Sequence, residues 1–223
     1  MTAPGASRRR TGEALAALVV LLVAANVVRS TLIPDGAHLP FNLAIGGGAL
    51  LIARSALLSR DELGLARRNV PAGLRLGLLV ALVVTAAVTV AAFVSSFEDA
   101  FDDSRVDTGI GGLLLNVLVE ELAFRGVLHA LLTRLTSTAR AIALGAMLFG
   151  LWHVFPAWRA DTGNAALEEI GRWPTVVGTF AATTAVGVLF GILRARSGSL
   201  VAPIVAHLST NVVPFVAAWL LAR

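Results

Sequence analysis

The sequence predicts an all-α, polytopic transmembrane helical bundle of about seven spans, with a cytoplasmic amino terminus. Three observations carry this. Of 223 residues, 57% are hydrophobic and only 14% charged, with a mean hydropathy of +0.81. The apolar residues fall in continuous runs rather than in alternation, and the charges gather between the runs. Soluble domains are roughly 25% charged and 45 to 50% apolar, so this chain has too little polar surface to cover a water-facing particle. Continuous runs favour helices over barrel strands, because a helix satisfies its backbone polar groups within itself.

A helix of about 20 residues crosses the roughly 30 Å hydrocarbon layer. Candidate spans lie at 14–33, 39–53, 72–97, 110–133, 139–157, 174–193 and 199–221. Residues 1–10 read as a disordered cytoplasmic tail and 11–223 as a single transmembrane domain, with a motif-bearing core at 110–211. Arg8, Arg9 and Arg10 before an apolar run resemble the start of a signal peptide. That run is as long as a span, however, and no small-residue cleavage site follows it before Pro34, so it is expected to stay as the first helix. The second span is short, and Gly46, Gly47 and Gly48 leave a tilted or broken helix open. Asp61 to Val70 is basic and amphipathic, fitting either a surface helix or a polar loop. Gly73-x-x-x-Gly77 and Gly187-x-x-x-Gly191 place small residues where neighbouring helices touch, without need of a ligand.

The charge pattern sets the orientation. Arg8, Arg9, Arg10, Arg54, Arg60, Arg67, Arg68, Arg134, Arg140, Arg194 and Arg196 fall on one side, against Arg105, Arg159, Arg172 and Arg223 on the other. This is the positive-inside asymmetry. The outer loop from Glu98 to Asp107 is acidic, and Trp158, Trp173 and Trp219 sit at outer span ends, where amphipathic rings favour the interface. The net charge of +4 therefore serves topology, with membrane lipid as a partner and no nucleic acid. All basic residues are arginine, which points to a GC-rich bacterial genome and a bacterial plasma membrane. The absence of cysteine removes disulfides, thiolate metal sites and cysteine nucleophiles.

Hydrocarbon should exclude ionisable groups, so those inside the spans carry the functional signal. The fourth span holds Glu120, Glu121 and Arg125, the fifth His153, and the seventh His207 and Asn211. At about 1.5 Å rise per residue, Glu120 lies roughly 21 Å from Arg134, His153 roughly 20 Å from Arg140, and His207 and Asn211 roughly 17 and 22 Å from Arg196. Three helices thus bring polar groups to one level. Glu121 and Arg125, four apart with the carboxylate first, have the favourable ion-pair order and read as a structural pair. Glu120 has Phe124 at i+4 instead of a cation and is the freer carboxylate. Phe149 and His153 share one helix face, as do His207 and Asn211. Asn116, one turn before Glu120, reads as interhelical glue beside the cavity.

These residues fit two chemistries. In one, Glu120, His153 and His207 hold a zinc-like divalent ion whose open position ionises water. In the other, Glu120 and His153 polarise water without metal, while His207 and Asn211 donate hydrogen bonds to a tetrahedral oxyanion. Both need a water-accessible bundle interior.

Glu120-Glu121-Leu122-Ala123-Phe124-Arg125-Gly126, then Phe149-x-x-x-His153, then His207-x-x-x-Asn211, resemble the three ordered motifs of the CPBP family of intramembrane proteases, which includes the CAAX prenyl endopeptidases and bacteriocin-related bacterial proteins. The resemblance covers roughly residues 110–211. It implies a helical membrane protease acting on a membrane-associated protein or peptide. Its catalytic residues would be Glu120, His153, His207 and Asn211, supported by Glu121, Arg125 and Phe149. Bacterial members need not act on prenylated proteins. Two rival readings are a proton-coupled transporter using Glu120 and the histidines as a relay, and a non-enzymatic immunity or scaffold protein. The transporter reading lacks the inverted repeats and paired broken helices common in that class.

Overall fold

The computed structural model describes residues 4–34, 37–94, 109–159 and 170–221. Helices follow one another as α1 (Pro4–Thr31), α2 (His38–Ser55), α3 (Val70–Val94), α4 (Gly109–Glu121), α5 (His129–Leu135), α6 (Thr138–Arg159), α7 (Arg172–Ser197) and α8 (Val201–Leu221). A π-helical segment, Leu122–Leu128, fuses α4 and α5 into one rod, and a 3-10 turn at Arg67–Asn69 leads into α3. The expected all-α bundle is what forms, with no strand among the described residues. The acidic stretch Glu98–Asp107 and the Trp219 side chain lie outside the described residues.

Each candidate span of the sequence has its helix. By length and composition alone, four of these are able to cross a membrane: Ser7–Thr31, Arg67–Val90, Thr138–Arg159 and Arg172–Ser197, with a shorter apolar stretch at Val201–Val213. One detail differs from expectation, and one concerns a point that the sequence leaves open. Residues 4–10, expected within a disordered tail, are helical. Arginine is a good helix former, and Arg9 Nε donates to Glu13 Oε1 one turn on at 2.8 Å. The second span is unbroken despite its three glycines.

Proline marks where helices start. Pro40, Pro71, Pro174 and Pro203 stand in the first turns of α2, α3, α7 and α8, where a missing N–H costs nothing. Pro156 is different, lying inside α6. Its absent N–H deprives the Trp152 carbonyl, four residues earlier, of its helical donor. Asn26 of α1 supplies the replacement, its Nδ2 donating to the Trp152 carbonyl at 2.8 Å. One buried amide on α1 thereby repairs α6 and ties the two helices.

Packing follows the small-residue patterns. A Cβ on Gly187 would stand 3.0 Å from Ala146 Cα of α6, and one on Gly77 only 2.8 Å from Val205 Cβ of α8. The close α6–α7 and α3–α8 contacts thus depend on those glycines. A core of Leu18, Ala49, Val127, Leu128 and Leu131 joins α1, α2, the π segment and α5. On α3, by contrast, Leu78, Leu79, Leu82 and Val83 face outward, as lipid contact requires.

One end of the bundle is laced by the 56–66 loop. Arg134 donates to the Ala56 carbonyl at 2.7 Å and to the Leu57 carbonyl at 3.0 Å, and pairs with Glu62 at 2.6 Å. Buried Arg194 donates to the Glu62 carbonyl at 2.7 Å and to the Arg125 carbonyl at 3.1 Å, so it holds the loop and the π segment together. Gly64 adopts φ +74, and a Cβ there would lie 2.6 Å from Arg194 Nε, so both backbone and space demand glycine.

The hydrogen bond from Arg134 lowers the Glu62 carboxyl to about 2, from its ordinary 4.5, against the opposing effect of burial. A depressed carboxyl contributes its stability in full above the unfolded value and loses it as pH falls through the folded one. Loosening of the loop is therefore expected between pH 4.5 and about 2. Protection of the 56–66 amides, measured against each amide's intrinsic exchange rate, should fall across that window in the wild type. In a Glu62→Gln protein the same amides should show no such pH-dependent step.

Candidate active site

The site begins with the rod of α4, the π segment and α5. Glu120 and Glu121 end α4, Arg125 sits in the π turn, and all three are buried. π turns are rare and often accompany functional residues. Here the Arg194 guanidinium takes up the Arg125 carbonyl, which supports this stretch from outside the rod.

Glu121 is fully committed on one oxygen. Its Oε1 accepts from Arg125 Nη1 at 2.8 Å and from His207 Nδ1 at 2.8 Å. The i,i+4 pair read from the sequence is present, and it reaches across to α8 as well. Arg125 is further seated over aromatic faces, 4.0 Å from the Phe149 ring centroid and 5.1 Å from that of Phe190. Cation–π contact of this kind is favourable in a dry interior. Glu121 Oε2 and Arg125 Nη2 are buried without a hydrogen-bond partner among the described residues.

Glu120 is held differently. Its Oε1 accepts from Asn116 Nδ2 at 2.8 Å. Asn116 Oδ1 in turn accepts from Arg29 Nη1 of α1 at 2.9 Å and from Asn42 Nδ2 of α2 at 3.4 Å. Three helices therefore orient one carboxylate. The other oxygen, Oε2, faces His207 Nε2 at 3.9 Å. That separation is too long for a direct hydrogen bond and suits one bridging water. On its other flank Glu120 lines a small cavity of about 10 Å³ with Arg29, Asn42, Asn116, Phe124 and Trp152, room for about one water.

The imidazole tautomers follow from their partners. A carbonyl only accepts, so His153 Nδ1 carries the proton that it shares with the Phe149 carbonyl at 2.8 Å. A carboxylate likewise only accepts, so His207 Nδ1–H donates to Glu121. With Nδ1 carrying the proton, Nε2 is the second nitrogen of each ring, and it is the acceptor whenever the ring is neutral. Phe149 joins them, its ring centroid lying 4.6 Å from that of His153 and 6.0 Å from that of His207. Phe190 closes on His207 at 5.1 Å.

The structure thus brings Glu120, Glu121, Arg125, Phe149 and His207 into direct contact and sets His153 against the same phenyl ring. Asn211 stands one turn beyond His207 on α8, half-buried and without a hydrogen bond among the described residues. Sequence reasoning missed Arg29, Asn42 and Phe190. Zinc demands ligands at about 2.0 to 2.2 Å, yet among the described residues no three His, Asp or Glu side chains gather closely enough to hold a metal ion. The set Glu120, His153 and His207 is not closed into a ligand shell.

The Asn116 bridge has a measurable consequence. Replacing Asn116 with Leu frees Glu120 Oε1 and strands the Arg29 guanidinium. Where Glu120 does the chemistry, the turnover rate is expected to fall roughly 10- to 100-fold, the scale of misplaced catalytic groups, with little change in substrate affinity. Steady-state kinetics separates the two, and Arg29→Lys, which keeps the cation, should lose less than Arg29→Leu.

Fold and site together define an all-α helical bundle, with helices apolar and long enough for a membrane, around a buried pocket of carboxylates and imidazoles. Residues 104–213, about half of the chain, match the family described as type II CAAX prenyl endopeptidase Rce1-like, and over this segment the chain belongs to that family. The family is one of membrane proteases, and every site residue from Glu120 to Asn211 falls within the matched segment. No curated protein and no solved structure matches the chain.

Proposed function

We propose that the protein is an intramembrane endopeptidase that hydrolyses a peptide bond of a membrane-associated protein or peptide with water activated by Glu120. The observation that carries this reading is the buried pair Glu120 Oε2 and His207 Nε2, 3.9 Å apart, close enough for one water to bridge both from the side. Water seated there gives its proton to Glu120 while its oxygen attacks the substrate carbonyl carbon. Glu120 then passes the proton to the leaving amine, and the peptide C–N bond breaks. His207 accepts the water's other O–H on its basic Nε2 and so orients it, with His153 beside it against the Phe149 ring. Asn211 donates to the oxyanion, and His207 joins it there only as an imidazolium, since its Nδ1 proton belongs to Glu121. Phe149 and Arg125 keep the imidazoles and Glu121 in register. The same reading places the protein across a bacterial plasma membrane with about seven crossings and its amino terminus in the cytoplasm.

The test is cleavage of a membrane-anchored peptide by the purified, reconstituted protein. Activity is expected to survive a strong divalent-metal chelator and to vanish in His207→Ala. Activity that disappears on chelation and returns with zinc would replace the metal-free route with the metal-bound one. Full activity in His207→Ala would remove the site from the chemistry. A Glu120→Gln protein that keeps its whole cellular effect would favour the non-enzymatic scaffold, and ion-coupled flux without cleavage the transporter.

A further inference from the structure

Beside the Glu120 pocket, but on the outer face of α1 and α6, lies a second and larger cavity. Its volume is about 310 Å³, and its lining includes Val23, Asn26, Val27, Phe124, Leu151 and Trp152. Val23, Val27 and Leu151 are exposed and form a rim that opens sideways from the bundle. Phe124 and Trp152 stand edge to face at 5.9 Å and belong to both cavities, so they partition the cleft from the Glu120 side. An engineered cavity of roughly 150 Å³ accommodates one benzene ring. The cleft therefore has room for about two large apolar side chains.

One polar atom of a residue in this apolar lining has no hydrogen-bond partner among the described residues. Asn26 is 8% exposed, and its Nδ2 is committed to the Trp152 carbonyl left open by Pro156. That commitment fixes the amide orientation, because a carbonyl cannot donate. Asn26 Oδ1 is consequently a buried acceptor without a hydrogen bond among the described residues, on a side chain that lines the cleft. A buried acceptor left unpaired is costly, and a donor brought by an occupant recovers that cost.

Resting on the protease reading, we propose that this cleft seats a locally unwound segment of the substrate polypeptide, with an apolar side chain in the pocket and a freed main-chain N–H donated to Asn26 Oδ1. Three features select that occupant. The lining asks for an apolar group, Asn26 asks for a donor, and the shared Phe124–Trp152 wall puts the occupant next to the candidate reacting carboxylate. A membrane helix has no N–H to offer in its interior, because each is bonded four residues back. Only an unwound stretch has one, and unwinding is also what exposes a peptide carbonyl to attack. Asn26 thus rewards the conformation that hydrolysis needs.

The experiment uses the full-length Glu120→Gln protein in phosphatidylcholine nanodiscs, with Trp152 as its single tryptophan after Trp158, Trp173 and Trp219 are changed to Phe. The probes are two synthetic nitroxide-labelled Leu/Ala membrane peptides of about 20 residues, identical except that one carries a central Gly-Pro step that breaks its helix. Saturable quenching of Trp152 is expected from the broken peptide and at least tenfold weaker binding from the continuous one. N-methylation at one position beside the break should weaken binding roughly tenfold, the scale of one buried hydrogen bond. Val23→Phe, which narrows the rim without touching Asn26, should do the same. Equal binding of both peptides, indifference to N-methylation at every position beside the break, or indifference to Val23→Phe would each overturn the proposal. So would quenching by brominated phosphatidylcholine that the broken peptide fails to displace, since lipid would then be the occupant. Binding as expected, paired with an inactive wild type, supports the cleft while overturning the protease. Cleavage that is active and insensitive to Val23→Phe overturns the cleft alone.

Discussion

Glu120→Gln is expected to lower the turnover rate by roughly 10³-fold, within the 10²- to 10⁴-fold range of a lost general acid–base group, while leaving substrate affinity nearly unchanged. The substitution is isosteric, and the amide oxygen still accepts from Asn116 Nδ2, now 2.8 Å from Glu120 Oε1. What disappears is the proton acceptor on the side that faces His207. Fold and binding should therefore persist, and the loss should appear in the rate alone. Progress curves on a membrane-anchored peptide, with helicity and melting temperature followed in parallel, separate a chemical loss from a folding one. A melting shift large enough to explain the rate would show that Glu120 is needed for folding instead.

Arg125→Met is expected to act oppositely, on stability. It leaves Glu121, which is 0% exposed and bonded to His207 Nδ1, as a buried anion without its guanidinium. Removing one partner of a buried pair costs about 3 to 5 kcal/mol, because the remaining charge has lost its compensation without regaining water. Much of a typical stability of about 5 to 15 kcal/mol would go, and yields of folded protein should collapse. The double variant Glu121→Gln/Arg125→Met removes both charges and keeps an oxygen to accept from His207 Nδ1. It should recover most of the stability. Thermal unfolding in detergent reads the difference, and a double variant as unstable as the single one would show that the charge itself is not the cause.

Much of this architecture is legible in the amino acids, for reasons that differ by residue. The spans follow from hydropathy, since hydrocarbon tolerates only internally bonded backbone. The common level of Glu120, His153 and His207 follows from the constant rise of a helix, and the Glu121–Arg125 pair from its pitch. Both are local quantities that need no knowledge of neighbours.

What is hidden depends on partners far along the chain. Arg29 sits at the edge of a span and looks like an orientation signal, yet its guanidinium bonds Asn116, 87 residues on. Asn42 carries no motif and reaches the same amide from α2. The orphaned Trp152 carbonyl is implied by Pro156 alone, but nothing local says that Asn26 will meet it. No residue pattern encodes the π turn, whose Arg125 carbonyl is taken up by Arg194 from α7. The contacts that fix the two imidazoles are hidden as well, since Glu121 holds Nδ1 of His207 from another helix and the Phe149 carbonyl holds Nδ1 of His153 from one turn back.

The central claim is that side chains from separate helices act as one unit on one water between Glu120 and His207. A double-mutant cycle on the turnover rate tests it most directly, comparing Glu120→Gln, His207→Ala and the two combined. Groups that serve a single step are strongly non-additive. The combined variant should therefore be about as slow as the slower single variant. Rate losses that multiply across the pair, or a single variant at full speed, would contradict the account.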